Sequence, residues 1–444
     1  MTYSSYGKKT QLNNLNLFYY LNAFLLIVDY IMPQYFGLHI GYDLTCTRLG
    51  VLLILIYMIL NPRLFTHFCT TIAQCKLVIP IAAYLFVCGY TMVFRADINA
   101  FFMVFFEIIT MFMLIYGIRY VIGVEKAILW AVRSAYFFGF LGLVDYACGQ
   151  SLMLKFLKTV PTAVGNSYRS GQYRIMGPCG HPLGYGLYLI LLIPLICIDL
   201  EKNEVFIFKR PFLLLLLILN VFLTGSRSTL GIVVLELFLI LLCSNVINIK
   251  KTFLGLAVTV AALGIFLLFF HGTEIGKYIL MQLASLVDQI FGTEFAISFG
   301  AQVERLEDSE EYRKMLPLIF KLDWLNPWIG RGVSRGFSAE INGVFIQSID
   351  NYYVSQYIKY AYPGLVTYGF IILSTVGMMI KAIYRHRSPI LKMTAVGVVC
   401  YYINLWWVDA LQTLKYTYIV IAIFYVCYTE LEEERALRCA VDQR

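Results

Sequence analysis

Long apolar runs follow one another through this chain and leave little water-facing sequence between them. A run of about 20 apolar residues crosses a bilayer as a helix. Twelve stretches qualify: 18–38, 44–60, 77–94, 100–118, 127–147, 183–199, 211–224, 229–246, 252–270, 354–380, 390–408 and 411–429. In lipid every backbone polar group must be paired internally, which leaves helices or a closed barrel. Continuous runs such as PFLLLLLILNVFLTG at 211–225 lack the apolar–polar alternation of a barrel strand. The expected fold class is therefore all-α: a polytopic membrane protein with about twelve transmembrane helices. A chain that is 60% hydrophobic and 14% charged agrees with this and departs from soluble composition.

Loop charge orients the spans. With the N-terminus inside, seventeen basic residues from Lys8 to Arg444 fall on inner loops and tails. The short outer loops then carry only Arg95 and Arg227. An even number of spans returns the C-terminus inside, so the expectation is N-in/C-in. The net charge of +8 is explained by inner-face anchoring. No basic–aromatic recognition module accompanies it, so no nucleic-acid partner is expected. The first seventeen residues are polar and no cleavage site follows, so no cleavable signal peptide is expected.

The chain reads as a single membrane domain, 1–444, with two long outer-face loops at 148–182 and 271–353. The first holds an amphipathic piece, SLMLKFLKTV, and Cys148 and Cys179, which either pair or remain buried thiols. The second holds SLVDQIFGTEF, a charged helix-like EDSEEYRKMLPLIFKL and glycine- and proline-marked turns. Loops this long are usually functional or disordered. The amphipathic patches suggest a lid on the membrane surface.

Three polar stretches on the predicted outer side concentrate the chemistry. In RIMGPCGHPLGYG at 174–186, Arg174 is an anion clamp with His181 as hydrogen-bond partner. Alternatively, Arg174 snorkels to headgroups while Pro182 starts a helix. In LTGSRS at 223–228, Ser226 and Arg227 stand at the start of a span. A helix N-terminus beside an arginine suits phosphate, and the plain alternative is an interhelical turn. In the third stretch, Arg331 and Arg335 flank the glycines of GRGVSRG, a plausible anion-wrapping loop, while Arg313 lies on a charged helix whose simplest explanation is solvation. Asp350 and Asn351 precede Tyr352 at the next span; either acid or amide can cap a helix, and an aspartate beside arginines can also be a general base. Charges within or between spans, Asp29, Glu107, Glu236, Asp409 and Lys415 among them, could be structural pairs or a proton path. No metal motif or cofactor-binding motif is present, so no cofactor is expected.

Taken together the three stretches resemble the O-antigen polymerase and O-antigen ligase superfamily. The resemblance lies in Arg174, Gly177, His181 and Pro182; then Ser226 and Arg227; then Arg313, Asn326, Pro327, Gly330 and Gly332; then Asn351 and Gly364. These run from about 174 to 370 in the family's order, and the first five spans carry no motif. Two departures stand out. Asp350 occupies the place where ligases tend to have histidine, and Val366-Thr367 replaces the second glycine of a G-x-x-G.

The resemblance implies a GT-C-like membrane glycosyltransferase, without metal, in a bacterial cytoplasmic (inner) membrane with its active site facing outward. Donor and acceptor would be undecaprenyl-diphosphate-linked oligosaccharides, for a capsule, O-antigen or exopolysaccharide. A chain-length regulator and a flippase would be partners. Asp350 in the histidine position favours a polymerase. The alternatives are a ligase of the same superfamily and a non-enzymatic exporter of lipid-linked sugars. Under the polymerase expectation Asp350, Arg227 and Arg174 are catalytic. Arg313, His181, Ser226, Asn351, Arg331, Arg335 and Tyr352 bind substrate.

Overall fold

The computed structural model describes residues 15–39, 43–161, 164–165, 167–169, 172–291, 293–299 and 312–442. Lys8, Lys9 and Arg444, and the acidic half of the expected charged helix with Glu310 and Glu311, lie outside the described residues. Each of the twelve apolar stretches lies largely in a helix. These are α1 (Leu15–Ile31), α2 (Cys46–Ile59), α4 (Val78–Arg95), α5 (Asn99–Gly117), α6 (Val124–Cys148), α8 (Pro182–Ile196), α9 (Pro211–Leu223), α10 (Arg227–Cys243), α11 (Val246–Phe270), α14 (Tyr352–His386), α15 (Pro389–Asn404) and α16 (Leu414–Asp442). Shorter or surface helices interleave: α3 (Pro62–Ala73), α7 (Leu152–Leu157), α12 (Glu274–Phe291) and α13 (Phe295–Ser298).

Among the described residues, five helical segments are long and apolar enough to cross a membrane: α4, α5 with the π-turn that continues it to Ile122, α6, α14 and α16. A sixth is added if α2 and α3, bent by 117° at Asn61-Pro62, form one broken span. The protein is thus all-α, with helices suited to a bilayer. Helices α1, α8 and α9 are apolar but shorter. Helix α8 starts at Pro182 and ends at Cys197, where the chain turns into a β-hairpin. Its 15 residues give a length of about 22 Å against a hydrocarbon core of about 30 Å.

Helix α8 is the centre of the bundle. Its sequence is apolar on every face, and every residue but Leu183 is buried, as expected of a helix with no polar stripe. Helices α6, α9, α10, α15 and α16 surround it. Polar groups inside are hydrogen-bonded between helices: Asn220 of α9 donates from Nδ2 to Gly139 O of α6 at 2.9 Å. Its Oδ1 accepts from Tyr185 Oη of α8 at 3.0 Å. Leaving such a group unpaired in an apolar interior is costly. At the far end of α14 and α16 Arg119 forms an ion pair with Glu433, and His386 Nε2 is hydrogen-bonded to Glu432 at 2.5 Å.

The segment 312–349 forms a small cap with its own core. Leu316, Ile319, Leu325, Ile341 and Ile346 bury themselves against Val354, Tyr357 and Ile358 of α14. Asn342 and Gly343, both at positive φ, make the tight turn of a hairpin pairing Ala339–Ile341 with Val344–Ile346. An Asn-Gly turn between short apolar runs is a hairpin signal. Helix α12 packs instead against α10 and α11. Cys148 is exposed and Cys179 buried, and both are free thiols.

The loop NPWIGRG is docked into a break in α14. Ala361 has φ 58° and ψ −164°, and Pro363 follows it. Proline supplies no N–H and clashes with the carbonyl four residues back, here Lys359. The loop satisfies the exposed groups: Gly332 N donates to Lys359 O at 3.0 Å, Arg331 N to Ile358 O at 2.8 Å, and Tyr362 N to Pro327 O at 3.1 Å. Asn326 Oδ1 shapes the loop by accepting from the N–H groups of Trp328 and Ile329. A methyl group on Gly330 would lie 2.0 Å from the Lys359 carbonyl oxygen. Gly330→Ala is therefore expected to expel the loop from the break. Limited proteolysis should then cut within 326–336 in the variant and spare the wild type; equal resistance would show that the backbone yields.

The same loop is tied to the α4–α5 corner. Asp97 accepts from Val333 N at 2.7 Å, Ser334 N at 2.9 Å and Ser334 Oγ at 2.7 Å. Burial works to raise the Asp97 carboxyl, but these donors outweigh it and hold it below its ordinary value. Arg95 donates to the carbonyls of Gly330 and Ile329.

Candidate functional site

The first polar stretch lies along the end of α9. Ile175 N donates to Leu223 O, and Arg174 Nε donates to Thr224 O at 2.8 Å. Arg174 is 6% exposed, so its side chain is an internal cation rather than one reaching outward. Gly177, at φ 51°, lies so close to the Tyr185 ring that a methyl group would sit 2.5 Å from it. This glycine serves packing on α8. His181 caps α8: its Nδ1 accepts from Leu183 N at 3.1 Å. Burial, and after it the Arg174 charge, push the imidazole down to about 4. It is neutral at physiological pH and stands beside the arginine as a polar, uncharged group.

The second stretch turns at Gly225, whose φ of 61° favours glycine. A methyl group there would lie 2.6 Å from Tyr278 Oη and 3.1 Å from Arg174 Nε. The turn thus sits between Arg174 and helix α12. Ser226 caps α10, accepting from Thr229 N at 3.3 Å, and its hydroxyl pairs with Thr229 Oγ1 at 2.8 Å. Arg227 begins α10 and donates from one guanidinium nitrogen to Ser285 Oγ of α12 at 3.1 Å.

From the third stretch, Asp350 stands just before α14. Its Oδ1 accepts from Ser348 Oγ at 3.3 Å. Burial raises its carboxyl above the ordinary carboxylate value. Arg313 and the Ser348 hydroxyl draw it back down, Asp409 pushes it up, and Arg174 draws it down. Asp350 is therefore within electrostatic reach of two arginines from two different loops. The helix cap is a separate residue: Asn351 Oδ1 accepts from Val354 N at 3.0 Å, while its Nδ2 donates to Trp406 O at 2.8 Å.

Arg174, Arg313 and Asp350 thus form one electrostatic group, with Ser226 and Arg227 at the Gly225 turn beside Arg174. Three of the residues predicted from sequence lie elsewhere. Arg331 donates to Gly336 O at 3.1 Å and stacks over Trp324. Arg335 donates to Arg95 O. Both belong to the loop docked on α14 and the α4–α5 corner. Tyr352 is 3% exposed and packs edge-on to Tyr368 in a tyrosine-rich core. Two residues that sequence reasoning left out of the site adjoin it: Ser285, on the amphipathic α12, and Asp409. The latter fell in the two-residue gap between the last two predicted spans, a position that marks a turn.

Two arginines around a carboxylate with raised basicity, beside an N-terminal helix turn, make a group suited to an anion and a proton acceptor. Among the described residues no three His, Cys, Asp or Glu side chains gather where they could hold a metal ion. The sequence matches no protein-family model and no curated protein sequence.

Proposed function

We propose that this protein is a membrane glycosyltransferase that polymerises undecaprenyl-diphosphate-linked repeats on the outer face of a bacterial cytoplasmic membrane. In this reading the twelve apolar helices span the membrane or complete broken spans, with both termini inside. What supports it is that Asp350 stands within electrostatic reach of Arg313 and Arg174, residues from two loops far apart in sequence.

The reaction asks for what these residues offer. The acceptor sugar's hydroxyl oxygen bonds to the anomeric carbon of the donor. The bond from that carbon to the lipid diphosphate breaks, and the diphosphate leaves with the electron pair. The hydroxyl proton passes to Asp350. Diphosphate is already a good leaving group, so neutralising its charge matters more than protonating it, and arginine forks do this. Arg174, Arg227 and Arg313 take that role. Neutral His181 adds no charge and leaves the diphosphate to the arginines. A chain-length regulator and a flippase are the partners such an enzyme needs.

The test is the glycan profile of the host strain lacking this gene. Loss of the long-chain ladder with single repeats retained, restored by the wild-type copy, is the expected result. Long chains accumulating on the lipid carrier would instead mean a ligase. Repeats trapped on the inner leaflet would mean an exporter and would remove the enzyme reading.

A further inference from the structure

Helix α4 turns an apolar face away from the bundle. Ile79, Phe86, Val93 and Phe94 are each more than half exposed, and steps of seven residues align the first three on one side of the helix. On a helix long enough to cross a membrane, this face meets lipid. Its 18 residues rise about 27 Å, close to the hydrocarbon core of about 30 Å. Arg95, the last of them, therefore reaches the headgroup level, while Phe86 and Val93 lie in hydrocarbon. The face is not smooth. A groove of about 570 Å³ is lined by Phe86, Gly89, Tyr90, Val93 and Phe94 and by Phe101 of α5. Sites for small ligands span about 300–1,000 Å³. Gly89 keeps the groove open: a methyl group there would meet only the Phe101 ring, at 3.8 Å. The contrast is Gly139 of α6, where a methyl group would lie 2.7 Å from Leu216 of α9. Gly139 lets two helices approach, whereas no helix among the described residues approaches Gly89.

Two guanidinium groups stand at the headgroup end of this groove. Arg95 donates from Nε to Gly330 O at 2.6 Å and from Nη2 to Ile329 O at 2.9 Å. Its Nη1 has no hydrogen-bond partner among the described residues. Arg335 is exposed and donates to Arg95 O at 3.3 Å. The neighbouring Asp97 carboxylate is already engaged by Asn99 N, Val333 N and Ser334. Trp328, 71% exposed, stands beside the groove: its carbonyl accepts from the Oη of Tyr90, a groove residue, at 2.7 Å. Tryptophan and tyrosine favour the headgroup level of a bilayer.

We propose that the α4 groove is a binding site for one membrane phospholipid, with an acyl chain lying past Gly89 between Phe86 and Phe101 and the phosphate on Arg95 and Arg335. This rests on α4 crossing a membrane and is independent of the glycosyltransferase reading. The length of α4 sets the depth, the groove seats a chain, and the arginines offer charge-assisted hydrogen bonds that a phosphate accepts.

The test is photo-crosslinking of the delipidated full-length protein in detergent. The probe is a phosphatidylglycerol with a diazirine in one acyl chain, and labelled peptides are mapped by mass spectrometry. Labelling within 82–101 is expected to saturate at low lipid-to-protein ratio. Labelling of the exposed stripe Val366, Leu373 and Ile380 on α14 should instead rise in proportion to added lipid. Gly89→Leu fills the groove on a face that no helix covers, and should abolish the saturable labelling while leaving that on α14. If this variant does not accumulate, Ala82→Phe, from the groove's other end, takes its place with the same outcomes. Arg95→Gln should raise the half-saturating lipid concentration by about ten-fold, the loss of one charge-assisted contact. Unlabelled phosphatidylglycerol should displace the probe, and dioleoylglycerol, which has the chains without the phosphate, should not. Labelling of 82–101 that rises as on α14 means bulk lipid only and overturns the proposal. Saturable labelling that survives both Gly89→Leu and Ala82→Phe overturns it as well. Displacement by undecaprenyl phosphate at lower concentration than by phosphatidylglycerol overturns it in favour of a lipid-carrier site.

Discussion

Asp350→Asn is expected to slow polymer formation by about 10²–10⁴-fold, the usual contribution of a positioned general base, with protein level unchanged. The two halves of this expectation have separate grounds. Activity falls because an amide cannot accept the acceptor's proton. Folding survives because Asp350 does not cap α14: Asn351 does, through its 3.0 Å bond from Val354 N. An asparagine at 350 also retains an oxygen for the Ser348 hydroxyl, which now lies 3.3 Å away. The pH dependence carries a sign. Burial raises the Asp350 carboxyl above its ordinary value, and the base works only when ionised. The acid limb of kcat/KM in wild type should therefore lie above that of an ordinary aspartate and vanish in the variant. Rates measured on reconstituted protein with lipid-linked repeats, from acid to neutral pH, decide the matter. Full activity in Asp350→Asn would remove the base and leave only electrostatics.

The helices were legible because an apolar run leaves the backbone one choice in lipid, and each predicted stretch lies largely in a helix. Which helices are long enough to cross was less legible. The limits of α8 depend on Pro182 and on a hairpin whose strands, Ile198–Asp199 and Glu204–Val205, are too short to show a pattern. Helix α3 was missed, although Leu64 and Phe68, four residues apart, are both buried. The glycines of GRGVSRG suggested a loop around an anion. Their use is to let that loop reach the broken backbone of α14, which required knowing that the break at Ala361 faces the loop. Pro363 was the available signal. Tyr352 is expected from sequence to bind substrate. It is buried edge-on to Tyr368, a contact that regular helix spacing does not predict and that the break at Ala361 allows. The electrostatic reach of Arg174 and Arg313 to Asp350 depends on tertiary structure, and residue order suggested it only through the family resemblance.

Arg227→Ala is expected to reduce polymer formation by about 10²–10³-fold, the cost of removing one preorganised contact to developing charge. Arg227 is a cleaner probe than Arg174. Arg174 is nearly fully buried and bonded to Thr224 O beside the Gly225 turn, so its removal disturbs packing as well as charge. Arg227 is only partly buried and begins α10, whose cap is the neighbouring Ser226. Its alternative role is mechanical: the 3.1 Å bond to Ser285 ties α12 to the bundle. The two roles separate on a second variant. Ser285→Ala removes the tie and keeps the guanidinium, so a substrate-binding Arg227 predicts a loss of less than about ten-fold, in line with a single neutral hydrogen bond. Arg227→Lys, which keeps the charge but loses the planar fork, should fall between. Equal losses in Arg227→Ala and Ser285→Ala, measured at matched protein levels, would make Arg227 a clasp for α12 and take it out of the diphosphate site. A steep loss confined to the arginine variants would leave charge on the ligand as the explanation, because only that role distinguishes a guanidinium from the bond it makes.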